Sequence, residues 1–187
     1  MSDLYKKVEK FVIDSFTKAN KVYQIKHFIR AAYWIKKLKP DADEALLIAA
    51  VAHDIERAFR SEDMVKKKLG GYAGKEFLRP HQERGAEIIG DFLKKQGAGK
   101  ELIERVKMLV SRHEEGGNKD QDLLKDADSV SYFENNVSFF LTEKVAEVGK
   151  EKVKGKFDWM FSRMTSEKAK KIARPWYKKA IKDLESI

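Results

Sequence analysis

Residues 45–57 read ALLIAAVAHDIER, and the eight residues from Ala45 to Ala52 offer no polar face. A helix that is apolar all round is stable only in the middle of a domain, covered on every side by other elements. The run then ends on His53 and Asp54, two ionisable side chains at the tip of a buried element. Burying them is costly unless something pairs with them. The segment therefore sets two requirements: helices to wrap it, and a partner for its polar tip.

The wrapping is legible in the rest of the chain. Residues 3–18 and 21–38 carry helical apolar stripes, the second through Ile25, Phe28, Ile29, Ala32 and Ile35. Pro40 ends it, and Asp41 with Glu44 resembles a capping box, which predicts the central helix from Asp41 to about Phe59. Residues 60–79, with three glycines and several lysines, are the longest irregular stretch, with room for a short helix or a mobile lid. Pro80 is placed to open a helix over 80–96, because proline suits a first turn. Further helices are predicted over 100–114 and over 121–149, with a kink near Asn135 and Asn136. The last covers 151–185 with a break at Pro175. No stretch alternates as a strand would, so one all-α domain spanning residues 1–187 is expected.

Composition narrows the setting. No cysteine is present among the 187 residues, which removes disulfides, thiolate ligands and a cysteine nucleophile. No apolar run approaches the roughly 18 residues of a membrane span. The N-terminal MSDLYKKVEKFVIDSF has Glu9 and Asp14 among its apolar residues, the pattern of a packing helix and not of a signal peptide. A cytoplasmic protein without a membrane partner is expected. The net charge is +9, but the lysines lie among glutamates and aspartates, as on a solvated surface. Phe157, Trp159, Phe161, Trp176 and Tyr177 alternate with lysines near the C-terminus. They read as core cover and not as a stacking platform for nucleic acid.

Only four histidines occur: His27, His53, His81 and His113. His113 shares a helical face with Val110, Val106 and Ile103 and so points inward. Singly, each histidine fits a hydrogen-bonded core position. Together with Asp54 they would be costly to bury without a common partner, and a metal pair is such a partner. Imidazole and carboxylate suit Mn, Fe, Co, Ni or Zn. Adjacent helical residues point about 100° apart, so His53 and Asp54 fit a dinuclear site at the helix tip better than a single ion.

At these residues the chain resembles the HD-domain metal-dependent phosphohydrolases. The matching pieces are HFIRAAYWI around His27, AAVAHDIER around His53 and Asp54, RPHQERGAEIIGDFL around His81, VSRHEEG around His113, and LLKDADSVSYFE at the distal aspartate. The resemblance covers roughly residues 20–135 and follows the H…HD…H…H…D order of the dinuclear subgroup. It implies a helical bundle of the HD type with its metal-site core at about 20–135 and helices 136–187 packing on it. It implies His27, His53, Asp54, His81, His113 and Asp128 as ligands to two divalent transition ions, Asp54 bridging and serving catalysis. Asp126 is the alternative to Asp128, since residues two apart on a helix face opposite ways. HDIER departs from the HDxGK common in the family, putting Glu56 and Arg57 at the glycine and lysine positions. The GYP segment of cyclic-dinucleotide phosphodiesterases is missing, so that substrate is not expected.

The implied reaction is hydrolysis of a small phosphorylated metabolite, a nucleotide in the first instance, by a metal-bridging hydroxide. Arg30, Arg57 and Lys75 are candidate phosphate ligands, with Arg30 equally suited to pairing with a carboxylate on a neighbouring helix. Two alternatives stay open: a dinuclear iron oxygenase of the same superfamily, and a non-catalytic binding member. The residues fix neither the metal nor the oligomeric state.

Overall fold

The computed structural model describes residues 1–60 and 75–187, with side chains in the second stretch from Leu78 onward. Among the described residues every regular element is helical. They are α1 (Asp3–Lys18), a 3-10 turn (Val22–Gln24), α2 (Ile25–Leu38), α3 (Glu44–Ala52), α4 (Glu56–Phe59), α5 (Lys75–Lys95), α6 (Lys100–Val110) and α7 (Lys119–Asn135). After these come α8 (Val137–Phe139), a π-helical turn (Phe140–Lys144), α9 (Val145–Val148), α10 (Lys150–Ser162) and α11 (Glu167–Glu185). No helix is long and apolar enough to cross a membrane among these residues.

All residues of α3 from Ala45 to Ala52 are buried, as the apolar run requires. Each fully buried leucine or isoleucine stabilises the fold by about 1.5–3 kcal/mol. Around α3 pack α1, α2, α6 and α7. Helix α1 contributes Tyr5, Val8, Val12 and Phe16, and Ser2 caps it by accepting from the Tyr5 amide at 3.0 Å. Helix α2 turns His27, Phe28, Ala31, Ala32 and Ile35 inward. Helix α7 starts with a full capping box of Asn118 and Gln121.

Two apolar clusters result. One spans α1, α2, α3, α5, α6 and the start of α7 up to Ala127. The other begins at Val130 and joins the end of α7 to α10 and α11. Asp128 lies at the seam between them, so the polar residues at the tip of α3 face both halves of the molecule.

The boundaries differ from expectation in four places. The cap of α3 is Asp43, whose carboxylate accepts from the Leu46 amide at 2.9 Å, so the helix starts three residues after Asp41. It also ends at Ala52. His53, Asp54 and Ile55 form a tight turn with three-residue hydrogen bonds, Ile55 N to Ala52 O at 3.0 Å and Arg57 N to Asp54 O at 2.9 Å. Pro80 lies inside α5, which begins at Lys75. Pro175 lies inside α11, and the break falls at residues 163–166, where Ser166 caps α11. The kink at Asn135 and Asn136 is present as the junction of α7 and α8. Most of the segment read as irregular or a lid, residues 61–74, lies outside the described residues.

Candidate metal centre

Five elements deliver the four histidines and their carboxylates. His27 comes from the first turns of α2, His53 and Asp54 from the turn after α3, His81 from α5, His113 and Glu114 from the turn after α6, and Asp128 from α7. The turn after α6 is shaped by glycine. Gly116 has φ +80°, and a Cβ there would collide with the Asp122 carboxylate. All seven side chains are buried.

They form two groups of potential ligand atoms, each within 4.8 Å of one another: His27, His53 and Asp128, and Asp54, His81, His113 and Glu114. Asp54 faces both. Its Oδ1 stands 2.8 Å from His81 Nε2 and 3.6 Å from His113 Nε2, and its Oδ2 stands 3.7 Å from His53 Nε2. Asp128 Oδ1 stands 3.1 Å from His27 Nε2 and 3.3 Å from His53 Nε2. The His-Asp doublet is thus divided between the two groups, which the tight turn after α3 permits.

The imidazoles are oriented alike. Each sends Nε2 toward the carboxylates and anchors Nδ1 behind it. His53 Nδ1 donates to Ala50 O and His113 Nδ1 to Val110 O, both at 2.8 Å. His81 Nδ1 donates to Glu56 Oε2 at 2.6 Å. For His27 the partner is Ser131 Oγ at 3.0 Å, and that hydroxyl gives its own proton to the His27 carbonyl at 2.7 Å, so Nδ1 is the donor. A ring protonated on Nδ1 keeps its Nε2 lone pair for a ligand. His53 Nε2 and His113 Nε2 are buried with no hydrogen-bond partner among the described residues. Native cores seldom leave such atoms unmatched, and a divalent cation fits this donor set of imidazole and carboxylate.

The electrostatics agree. Burial alone would lower the His53 pKa, but Asp128 and Asp54 outweigh it and hold the ring at about 9. Burial would raise the carboxyls of Asp54 and Asp128, yet Arg57, His113 and His81 hold the first well below the usual range, and Arg163, His53 and His27 the second. The site as built favours added positive charge. Burial brings the Lys156 ammonium down to about 7 against the pull of Glu114.

The other expected residues divide. Arg57 joins the site: its Nε is 2.9 Å from Asp54 Oδ2, and one NH2 is 3.9 Å from Glu114 Oε1. Arg30 does not. Its guanidinium makes a two-pronged contact with Glu134 at 2.6 and 2.8 Å, and Trp34 Nε1 donates to the same carboxylate. The carboxylate-pairing alternative for Arg30 is the one found. The side chain of Lys75 lies outside the described residues. Asp126 points away from the histidines and accepts from the Thr165 and Ser166 amides at 2.8 and 2.7 Å, tying α7 to the start of α11. Asp126→Ala is expected to cost about 2–4 kcal/mol by stranding those amides while leaving bound metal unchanged. Denaturant unfolding beside metal analysis checks both halves.

Several residues escaped the sequence reading. Glu114, next to His113, enters the second group. Arg163 contacts both Asp128 Oδ2 and Glu114 Oε2 and donates to Ser129 Oγ at 2.9 Å. Lys156 and Met160 line the same cavity as Asp54 and Asp128. Lys156, Met160 and Arg163 recur at helical spacing, so two cations interrupt an inward stripe of α10. That interruption was the available signal. Glu56, at the position of the family's glycine, anchors His81 and is itself held by Arg60 at 2.5 Å and Arg84 at 2.6 Å. Glu56→Gln is expected to weaken metal affinity by about 10–100-fold, the usual effect of losing an outer partner of a histidine ligand. Metal titration of the purified variant reads it.

No curated protein and no solved structure matches the chain. The family model described as Domain of unknown function (DUF4202) matches residues 11–184, nearly the whole sequence, and the chain belongs to that family.

Proposed function

We propose that the protein is a metal-dependent phosphohydrolase with an HD-type helical core, acting on a small phosphorylated metabolite. The observation that carries this reading is the common orientation of four histidines, all presenting Nε2 to Asp54 and Asp128 with Nδ1 anchored behind. The residues that would hold the ions are His27, His53 and Asp128 on one side and His81, His113 and Glu114 on the other, with Asp54 between them. Two divalent ions such as Mn, Fe, Co, Ni or Zn would supply Lewis acidity and a water of lowered pKa.

The chain's own residues supply the rest. Arg57 stands beside Asp54, where its charge can meet phosphoryl oxygens in a geometry that lysine lacks. Arg163 holds Asp128 and Glu114 in fixed positions, so little reorganisation accompanies the reaction. Burial under α10 keeps bulk water from the carboxylates.

The test is a screen of phosphoesters with protein loaded in turn with Mn, Co, Ni, Zn and Fe, run with and without oxygen. Metal-dependent phosphate release that persists without oxygen supports the hydrolase. Turnover of the iron form that stops on removing oxygen, with no ester hydrolysed under any metal, overturns it in favour of an oxygenase.

A further inference from the structure

The resemblance to the HD-domain enzymes ends near residue 135, yet the cavity over Asp54 and Asp128 is closed by residues beyond that point. Lys156 and Met160 come from α10, Phe140 opens the π-helical turn, and Asn136 sits at the end of α7. π turns shift the side chains that follow them and recur at functional sites. The substrate-facing wall is therefore this family's own.

Lys156 is the unusual member. It is 8% exposed, with its ammonium 4.2 Å from the centre of the Trp159 ring and 5.6 Å from that of Tyr132. Burying an ammonium is costly, and the fold gains no helix cap or crosslink between helices in return. It lines the same cavity as Arg57, Asp54, Asp128 and Glu114. Arg163 is already committed to Asp128 and Glu114, leaving Arg57 and Lys156 as the cavity's cations toward an incoming group. Asn136 adds a buried side-chain oxygen with no hydrogen-bond partner among the described residues.

The carboxylates at the floor of this cavity are only 4–8% exposed as side chains. A chain end can reach them, whereas the interior of a polymer cannot pass through so enclosed a place. We infer that Lys156 and Arg57 bind the terminal phosphoryl group of a small phosphomonoester, with Tyr132 and Phe140 beside its organic part. Two cations suit a dianionic monoester better than the single charge of a diester. The inference rests on the hydrolase reading for its reaction, and on the cavity alone for its binding.

The experiment uses the full metal-loaded chain with inorganic phosphate as the probe. Binding is read by calorimetry and by tryptophan fluorescence, with Trp159→Phe assigning the signal. Lys156→Met keeps the aliphatic stem and should weaken phosphate binding by about tenfold or more, the loss expected for a charge-assisted contact. Metal content should be unchanged, and Lys156→Arg should recover much of the affinity. In parallel, p-nitrophenyl phosphate should be hydrolysed in preference to bis(p-nitrophenyl) phosphate. A folded Lys156→Met protein that binds phosphate as the parent does, or a preference for the diester, overturns the inference even if hydrolysis is observed. If neither ester is turned over but phosphate binding still falls in Lys156→Met, the hydrolase reading fails while the anion site stands.

Discussion

Asp54→Asn is expected to lower metal affinity by more than about a hundredfold, beyond the 10–100-fold typical of removing an outer partner of a ligand, and to abolish turnover. The substitution keeps the shape of the side chain and removes its charge. Asp54 is the carboxylate that faces both groups of histidines, Oδ1 toward His81 and His113 and Oδ2 toward His53. It also holds Arg57. Its loss therefore reaches every part of the site, whereas a histidine variant reaches one group. Metal titration followed by phosphoester assay reads both effects. Full activity in Asp54→Asn would remove the bridging role from the account.

Arg163→Met should have the largest effect on stability. Arg163 is 6% exposed as a side chain and contacts Asp128 and Glu114, themselves 8% and 4% exposed. Removing one partner of a buried ion pair leaves uncompensated charge and costs about 3–5 kcal/mol. The loss should be greatest in metal-free protein and smaller with saturating Mn, because a cation on the carboxylates takes over part of the compensation and binding to the folded state adds stability. Urea unfolding in EDTA and in Mn measures the difference. An equal loss under both conditions would mean that the ion does not sit near Asp128 and Glu114.

What the sequence disclosed followed from how local each signal is. The apolar run of α3 forced burial, and the single histidine pattern placed four ligands, because helical spacing acts over a few residues. Asp128 and Asp126 were separable in principle by facing alone, and Asp126 proved to bind the amides at the start of α11. The turn after α3 was not legible, since HDIER continues a helical pattern and only the tertiary pull of two ligand groups on adjacent side chains ends the helix there. Pro80 and Pro175 misled for a related reason: packing along α5 and α11 holds each helix through its proline. Arg163 lies 35 residues from Asp128 and 49 from Glu114, and Lys156 reaches the cavity from the same helix. Contacts of that range have no periodicity to reveal them. Arg30 showed the converse, with sequence proximity to His27 but a guanidinium bound to Glu134.

The central claim is a two-ion site with Asp54 between the groups. It is tested most directly by titrating metal-free protein with Mn and counting bound ions, with electron paramagnetic resonance to detect coupling between them. The account expects one ion for each of the two ligand groups, a coupled spectrum in the parent protein, and an uncoupled one-ion spectrum in His81→Ala. A parent protein that binds no Mn, or two ions with no coupling, would contradict it.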